Sequence, residues 1–412
     1  MFRFRPFFFG RRRGVKPELG NYFDSGRSRS GFRPRLADFA SGIDFIQIGA
    51  LLCLIGTGLL FIYSTGAQIG GDHAASFFFR QLRWIGAGGI LWLFCSLIDY
   101  RKIQYRILAV LFYLVTIVLL VLVFFIGVKV YGATRWLSIA PLGMRLQPSE
   151  FCKLALVMVL SAMFASPMFK VNRLPCLLLG AGTVALPFVL IVREPDLGSA
   201  LILLPIYLAI LFTAGLKWRY ILLAGVAISI LGGAVVLNEA MQFRPMLKEY
   251  QRDRIRVFLN PELDRTDTGY NSYQARLAVG SGGLTGKGIG EGTQNTLGFL
   301  PQTVSNNDFI FSVIAEEVGF LGCLLLLAAY LALFYSIIRT AFLTVDPFGR
   351  YLAVGIAGIF FTHCFINIGM SIGLAPVTGL SLPFVSYGGS FMLMGLAACG
   401  LLQSVYRYRN SR

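Results

Sequence analysis

Three acidic side chains precede long apolar segments, and each could take part in chemistry at a membrane surface. Asp308 stands directly before the apolar run that begins at Phe309, while Glu150 and Asp196 precede two others. Ionisable residues close to membrane helices are costly and usually mark a functional site. Because a carboxylate is ionised at pH 7, Asp308 could accept a proton from a hydroxyl group as a general base. The structural alternative is that Asp308 caps the helix N-terminus.

The segment that contains Glu150 carries a lysine three residues later. Pro148 suits the first turn of a helix, and Glu150 and Lys153 would then share one helical face. The two charges either form an internal ion pair or make the polar wall of a site for a lipid headgroup. Upstream, Arg135 lies beside Trp136, a combination suited to phosphate groups at a membrane interface.

Asp196 lies between two apolar segments and directly follows Pro195. It could cap the helix that begins after it. It could also pair with Lys153 as a buried carboxylate, and the periodicity of the segment is compatible with both interpretations. We therefore treat Glu150, Lys153 and Asp196 as one hypothetical polar cluster.

The glycine-rich segment 280–290 has the composition of a phosphate-binding loop but not its spacing. That motif requires a glycine five residues before Gly286 and a serine or threonine after Lys287, and Ser281 and Gly288 occupy those places. The dinucleotide-binding pattern GxGxxG is not met either. These glycines instead favour tight turns or a close approach of the backbone to a ligand.

Membrane helices must position these residues. The chain has 412 residues, of which 56% are hydrophobic and only 14% are charged, whereas soluble proteins carry about 25% charged residues. Many segments approach the roughly 20 apolar residues that cross a bilayer. We predict an all-α polytopic membrane protein with about ten transmembrane helices. The predicted spans are 45–63, 84–98, 107–126, 151–164, 174–192, 200–214, 220–237, 309–335, 351–372 and 391–406.

The loop charges predict that both termini are cytoplasmic. Even-numbered connections between spans are short and basic, such as the one with Lys170 and Arg173, as the positive-inside rule requires. The long loop 239–308 has eight cations and eight acids, so 8 − 8 = 0, and long loops cross regardless of charge. This loop, between helices 7 and 8, is therefore predicted to be extracytoplasmic, together with Asp308. Any substrate must then be lipid-borne or already outside.

The chain divides into three predicted regions. Residues 1–40 form a disordered basic cytoplasmic tail, residues 41–406 form one helical bundle that includes the loop 239–308, and residues 407–412 form a cytoplasmic C-terminus. Within residues 1–37, ten cations face two acids, so 10 − 2 = +8, which favours contact with anionic membrane lipids. We expect no nucleic-acid partner, because no binding module follows the tail.

Disulfides, cysteine metal clusters and a histidine-based metal site are not expected. The two histidines are far apart in the chain, and all seven cysteines lie in or at the edge of apolar spans, which is typical of small buried hydrophobic residues.

Motifs along most of the chain resemble the SEDS family, the RodA, FtsW and SpoVE-type peptidoglycan glycosyltransferases. The similarity of residues 250–283 is greater to the rod-shape branch than to the division branch. The matching motifs are GATRWLSI (132–139), QPSEFCK (147–153), PDLGS (195–199), GSGGLTGKG (280–288), GTQ (292–294), FLP (299–301), DFIFSVIAEEVGFLG (308–322) and PVTGLSLPFVSYGGS (376–390).

The resemblance implies polymerisation of lipid II into glycan strands for cell elongation and shape. The reaction would take place on the outer face of the bacterial cytoplasmic (inner) membrane. An inverting transfer is implied, with Asp308 as the general base. A class B penicillin-binding protein, a transpeptidase, is the implied partner, and a divalent cation (Mg²⁺ or Mn²⁺) could assist the departing pyrophosphate. The implied substrate-binding residues are Arg135, Glu150, Lys153, Asp196, Lys287, Gln294 and Ser386.

The chain departs from the family pattern near the predicted site. Asn307 stands where threonine is usual, Glu194 stands where glutamine is usual, and the link from Pro301 to Asp308 is longer. Two other functions remain open, a lipid II flippase and a non-catalytic membrane scaffold of a cell-wall synthase. A flippase needs an alternating path through the membrane, whereas the charges here cluster at outer connections. This pattern favours chemistry at the surface.

Overall fold

The computed structural model describes residues 42–67, 71–102, 106–130, 133–139, 144–241, 249–259 and 268–410. The predicted basic tail, residues 1–40, lies outside the described residues. Within the described ranges the helices are α1 (Phe45–Ala67), α2 (Gly71–Leu97), α3 (Arg106–Ile126), α4 (Pro148–Phe164), α5 (Leu174–Arg193), α6 (Leu197–Thr213), α7 (Trp218–Ala240), α8 (Glu249–Leu259), α9 (Thr268–Ser281), α10 (Thr293–Thr296), α11 (Gln302–Ser305), α12 (Ile310–Leu343), α13 (Pro347–Ser371) and α14 (Gly389–Arg407), with a 3₁₀ turn at Tyr100–Lys102.

Each of the ten predicted spans overlaps one of these helices. Among the described helices, seven are long and apolar enough to cross a membrane, namely α1, α3, α5, α7, α12, α13 and α14. The short helices α4 and α6 have 17 residues each, a length of about 26 Å against a hydrocarbon core of about 30 Å. Apolar segments of this length become helices because only a helix satisfies their backbone polar groups internally.

The centre of the bundle is formed by α4, α13 and α14, whose residues are largely buried. Glycines on α14 allow close packing against α2. A Cβ atom added at Gly400 would lie 2.5 Å from the carbonyl oxygen of Trp92, and one at Gly389 would lie 2.1 Å from the ring of Trp84. Small residues let membrane helices approach closely, because no side chain separates their backbones. In contrast, no residue in the apolar window of α7 is buried.

A small antiparallel sheet joins α3 to α4. Its strands are β1 (Val128–Val130), β2 (Ala133–Ile139) and β3 (Met144–Leu146), in the order β1-β2-β3. The prediction of an all-α protein is wrong for this connection. Segment 133–139, ATRWLSI, does contain the β-branched and aromatic residues that favour strands, and this signal was missed.

Helix α12 is interrupted at Gly319, where the backbone has φ 65° and ψ −165°. The interruption frees peptide groups that a regular helix would pair. The N–H groups of Phe320 and Leu321 donate instead to the carbonyls of Gly283 and Leu284, at 3.0 and 3.1 Å. The glycine-rich segment therefore docks against the open part of α12.

The carbonyl groups on the other side of the interruption are satisfied by the same segment. The N–H groups of Lys287 and Gly288 donate to the carbonyls of Glu316 and Glu317, both at 3.0 Å. A Cβ atom at Gly286 would lie 2.2 Å from the Glu317 carbonyl oxygen. These glycines thus allow a close approach of the backbone to α12, and their predicted approach to a ligand stays a prediction.

Candidate functional site

A cavity that is partly open to solvent lies where the N-terminal ends of α4, α6, α12 and α14 meet β2. Its charged wall contains three carboxylates and one guanidinium group, from Glu150, Asp196, Asp308 and Arg135. Four residues that were predicted from separate motifs therefore converge on one space. The other lining residues are Trp136, Gln147, Ser199, Asn307, Gly379, Leu380, Ser381, Tyr387, Gly388, Ser390 and Phe391.

Arg135 is held against the connection between α5 and α6. Its Nε donates to the carbonyl of Glu194 at 3.2 Å, and its Nη2 donates to the carbonyl of Pro195. Its Nη1 lies 3.8 Å from Oδ1 of Asp196. Strand β2 and these two carbonyls thus fix the guanidinium group in the cavity wall, where it could bind an anion bidentately.

Asp196 is the N-cap residue of α6. Its Oδ1 accepts a hydrogen bond from the Ser199 N–H at 3.2 Å, and its Oδ2 accepts one from Nε2 of Gln147 at 2.9 Å. The capping interpretation is confirmed. The alternative, an ion pair between Asp196 and Lys153, is wrong, because Arg135 is the cation beside Asp196 and Lys153 has another acid.

Lys153 is completely buried, behind Glu150 as seen from the cavity. Its Nζ lies 2.8 Å from Oε2 of Glu150 and 2.9 Å from Nε2 of His363. Nδ1 of His363 in turn lies 3.0 Å from the carbonyl oxygen of Ser381. The predicted pairing of Glu150 with Lys153 is therefore confirmed. His363 was missed, since 210 positions separate it from Lys153 and no local pattern links the two.

Asp308 lies in the turn that precedes α12. That helix begins at Ile310, and its N-cap position is held by Phe309, so the prediction that Asp308 caps the helix is wrong. The backbone at Asp308 is fixed from both sides. Its N–H donates to the Val304 carbonyl at 3.0 Å, and its carbonyl accepts from Nδ2 of Asn367 at 3.0 Å. The half-buried carboxylate faces the cavity.

Burial raises the pKa of the Asp308 carboxyl to about 6, an effect that Arg254 and Arg135 oppose and Asp196 reinforces. The group is still mostly ionised at pH 7 but is a stronger base than an ordinary carboxylate. A pKa near the working pH is the value that best suits a general base.

Glu194 stands where the resemblance led us to expect a glutamine, and its surroundings account for this difference. Its side chain is buried, and within the described ranges neither carboxylate oxygen has a hydrogen-bond partner. Burial and the charge of Asp196 raise its pKa to about 8, although Arg135 opposes this. At pH 7 the protonated form dominates, and a neutral glutamic acid has nearly the shape of the glutamine that is usual there.

Four of the predicted substrate-binding residues lie outside the cavity lining, namely Lys153, described above, and Lys287, Gln294 and Ser386. Lys287 Nζ lies 2.6 Å from Oε1 of Glu316, and the N–H of Gln294 donates to the same oxygen at 3.2 Å. Both residues hold segment 282–294 on α12. Ser386 accepts from the Leu382 N–H at 2.8 Å and donates to the Asn307 carbonyl at 2.6 Å. It thus ties the loop before α14 to the residue that precedes Asp308.

The fit of a divalent cation can be judged from the acidic side chains. Within the described part of the chain, no three His, Cys, Asp or Glu side chains are grouped closely enough to hold a metal ion. Although Glu150, Asp196 and Asp308 line one cavity, they are not a ligand set. We therefore assign no step to a metal.

Comparison with known proteins places this chain in a family. Residues 45–411 match the cell cycle protein family of FtsW, RodA and SpoVE. The chain is 35% identical to the peptidoglycan glycosyltransferase MrdB of Escherichia coli strain K12, over 89% of this chain and 94% of that protein. It is 34% identical to a probable peptidoglycan glycosyltransferase FtsW of Trichlorobacter lovleyi, over 90% of this chain and 94% of the relative.

Solved structures show the same fold. A chain from the structure described as "Structural coordination of polymerization and crosslinking by a peptidoglycan synthase complex" has a TM-score of 0.75 and 28% identity, over 90% of this chain and 99% of that one. The rod shape determining protein RodA of Thermus thermophilus has a TM-score of 0.65 and 26% identity, over 90% and 98% of the two chains. Because sequence and fold agree over nearly the full length, the chain belongs to the FtsW, RodA and SpoVE family of peptidoglycan glycosyltransferases.

Proposed function

We propose that this protein polymerises lipid II into glycan strands, with Asp308 as the general base of an inverting transfer. The observation that carries the proposal is the position of Asp308. Its carboxylate, with a pKa of about 6, faces a cavity whose wall also holds the guanidinium group of Arg135. The Asp308 carboxylate could accept a proton, while the Arg135 guanidinium group stabilises a departing anion.

The reaction balances with these groups alone. The acceptor is the 4-hydroxyl of a terminal GlcNAc, and its proton moves to the Asp308 carboxylate. Its oxygen forms a bond to the anomeric carbon of the donor, while the bond from that carbon to the lipid pyrophosphate breaks. The bonding electrons leave with the pyrophosphate. A single displacement inverts the anomeric carbon from α to β.

Arg135 is the residue best placed to stabilise the leaving pyrophosphate, because its guanidinium group lies in the cavity wall and matches phosphate oxygens in geometry. Lys153 has an indirect role. It is buried behind Glu150 and contacts that carboxylate at 2.8 Å. We therefore assign Lys153 to fixing Glu150, which in turn forms part of the polar wall that orients the sugars.

We place the site on the outer face of the bacterial cytoplasmic membrane, with ten spans and cytoplasmic termini. The structure supports this proposal through the loops that line the cavity. They precede α4, α6, α12 and α14, and the loop charges assign each of these connections to the outside. Lipid II, whose headgroup is displayed there, could enter from the bilayer. The tail 1–40 would lie on the opposite face, against anionic lipid.

A class B penicillin-binding protein is the proposed partner, acting as the transpeptidase that crosslinks the strands. The support is the similarity to a chain from a peptidoglycan synthase complex in which polymerization and crosslinking are coordinated. The similarity to the rod shape determining protein RodA of Thermus thermophilus supports the proposed role in cell shape.

The test uses the purified full chain with fluorescent lipid II and a partner transpeptidase whose own chemistry is blocked. We expect glycan strands on a denaturing gel. A second assay with lipid II in sealed vesicles measures flipping by quenching of the outer leaflet. Flipping without polymer would support a flippase instead, and neither activity would support a scaffold.

A further inference from the structure

Helix α13 carries two buried polar residues, one turn apart. One contacts Lys153, and the other contacts the backbone of Asp308. His363 and Asn367 are each 0% exposed. His363 contacts Lys153, and Asn367 donates to the backbone carbonyl of Asp308 at 3.0 Å. Because positions i and i+4 share a helical face, one face of α13 reaches the lysine behind the cavity and the proposed base at its wall.

The same two residues hold one wall of the cavity. His363 contacts the carbonyl oxygen of Ser381 at 3.0 Å, and Asn367 donates to the carbonyl oxygen of Leu380 at 2.7 Å. Leu380 and Ser381 both line the cavity. The carbonyl groups of Leu380 and Ser381 are therefore hydrogen-bonded to side chains on neighbouring turns of α13.

The contacts determine the tautomer of His363. The Ser381 carbonyl can only accept a hydrogen bond, so Nδ1 must carry the proton and donate. Nε2 then presents a lone pair to the ammonium group of Lys153, which donates to it. The ring of Phe391 packs against His363, with 4.6 Å between ring centroids, and limits its rotation. The ammonium group of Lys153 is thus held by two partners, Glu150 and His363.

We propose that His363 and Asn367 are positioning residues, which hold Lys153 and Asp308 in register with the cavity loop at Leu380 and Ser381. The proposal rests on the proposed polymerase function and extends it. Neither residue lies in the cavity wall, so each acts through the group that it holds. Small displacements of reacting groups reduce rates strongly, by about 100-fold for 1 Å.

Three substitutions of His363 separate positioning from mere packing. In His363→Gln, the side-chain amide offers a donor and an acceptor that can replace Nδ1 and Nε2. In His363→Asn, the amide can still donate to Ser381 but is too short to reach Lys153. In His363→Leu, both contacts are lost. Thr362→Val is the matched control, because the Thr362 hydroxyl donates only to Gly358 of its own helix, at 2.8 Å.

Polymerisation of fluorescent lipid II is measured as kcat and KM, together with the melting temperature of each variant. We expect kcat of His363→Gln to stay within about 3-fold of wild type. For His363→Asn we expect a fall of about 10- to 100-fold in kcat with little change in KM and in melting temperature. Thr362→Val should behave as wild type. A kcat of His363→Asn equal to that of His363→Gln would overturn the role through Lys153.

Asn367 is tested in the same way with Asn367→Leu, which has a similar volume but no hydrogen bonds. Its control is Ser371→Ala, since the Ser371 hydroxyl donates to the Asn367 carbonyl within the helix, at 3.0 Å. We expect a loss of kcat in Asn367→Leu only, and wild-type kcat in that variant would overturn its role.

These outcomes are distinct from failure of the proposed function. An inactive wild-type protein would contradict the polymerase, whereas an active wild type with an active His363→Asn variant would contradict only the positioning role. If His363→Leu does not fold, the comparison of kcat between His363→Gln and His363→Asn still tests the positioning role.

Discussion

Lys153 and Glu150 form a buried ion pair, with 2.8 Å between Nζ and Oε2, across the first two turns of α4. One partner lines the cavity, and the other lies behind it against His363. Two charges removed from water stabilise each other only as long as both are present. This pair therefore links the stability of the bundle to the geometry of the site.

Lys153→Ala should lower both stability and activity. Removal of the ammonium group leaves the Glu150 charge uncompensated, which costs on the order of 3–5 kcal/mol. Polymerisation of lipid II and thermal melting are measured on the same preparation. Lys170→Ala is the control, because Lys170 is exposed between α4 and α5. Full activity of Lys153→Ala would remove the pair from the site.

Asp308→Asn should abolish the proposed base while it preserves the shape of the side chain. Since Asp308 does not cap α12, the substitution removes no helix cap, and a loss of activity would reflect the loss of the carboxylate. We expect polymerisation to fall by roughly 10²- to 10⁴-fold, with the melting temperature near that of wild type. Asp253→Asn on α8 is the control, because the Asp253 side chain is 58% exposed. Near-normal polymer from Asp308→Asn would contradict the assignment.

The pH dependence of polymerisation should report the carboxyl of Asp308. A base must be ionised to accept a proton, and burial raises its pKa to about 6. We therefore expect kcat/KM to be constant above pH 7 and to fall about tenfold per pH unit below pH 6. The measurement is the initial rate at low lipid II concentration between pH 5 and pH 8. A profile that stays flat down to pH 5 would exclude a base with this pKa.

Glu194→Gln should stabilise the protein increasingly as the pH rises. The pKa of the Glu194 carboxyl is about 8 in the folded protein against an ordinary value of 4.5. Between these values the unfolded chain is ionised and the folded chain is protonated, so wild-type stability falls by about 1.4 kcal/mol per pH unit. A glutamine side chain does not titrate, so the Glu194→Gln variant does not lose stability in this way as the pH rises.

Melting of wild type and Glu194→Gln is compared from pH 5 to pH 8, with the exposed Glu291→Gln as the control. The difference between the melting temperatures should be smallest at pH 5 and should grow towards pH 8. Activity at pH 7 should be close to wild type, because a protonated glutamic acid and glutamine have similar shapes. Equal melting temperatures at pH 8 would show that Glu194 is not held protonated.

Gly286→Ala should disturb the docking of the glycine-rich segment on α12. Gly286 has φ +81°, and a Cβ atom there would lie 2.2 Å from the Glu317 carbonyl oxygen. Backbone strain of this kind costs about 1–3 kcal/mol, and the close contact adds to it. Gly280→Ala is the matched control, since nothing lies within 4 Å of its Cβ position. We expect a lower melting temperature for Gly286→Ala only.

The sequence by itself determined the helices and four charged residues of the cavity wall. Each predicted span overlaps a helix, because a long apolar segment can satisfy its backbone only in that form. The family motifs pointed to Arg135, Glu150, Asp196 and Asp308 as site residues, and all four line the cavity, whereas Lys153, Lys287, Gln294 and Ser386 do not. Composition and local periodicity carry this information because they depend on residues close together in the chain.

The tertiary structure alone decided which partner each charge takes. Lys153 pairs with Glu150 and His363, and not with Asp196, because α4 and α13 pack together at that depth. It also decided that the glycine-rich segment satisfies the broken part of α12. These outcomes depend on contacts between residues far apart in the chain, such as the 210 positions between Lys153 and His363. Local patterns do not encode how helices pack, so they could not identify these partners.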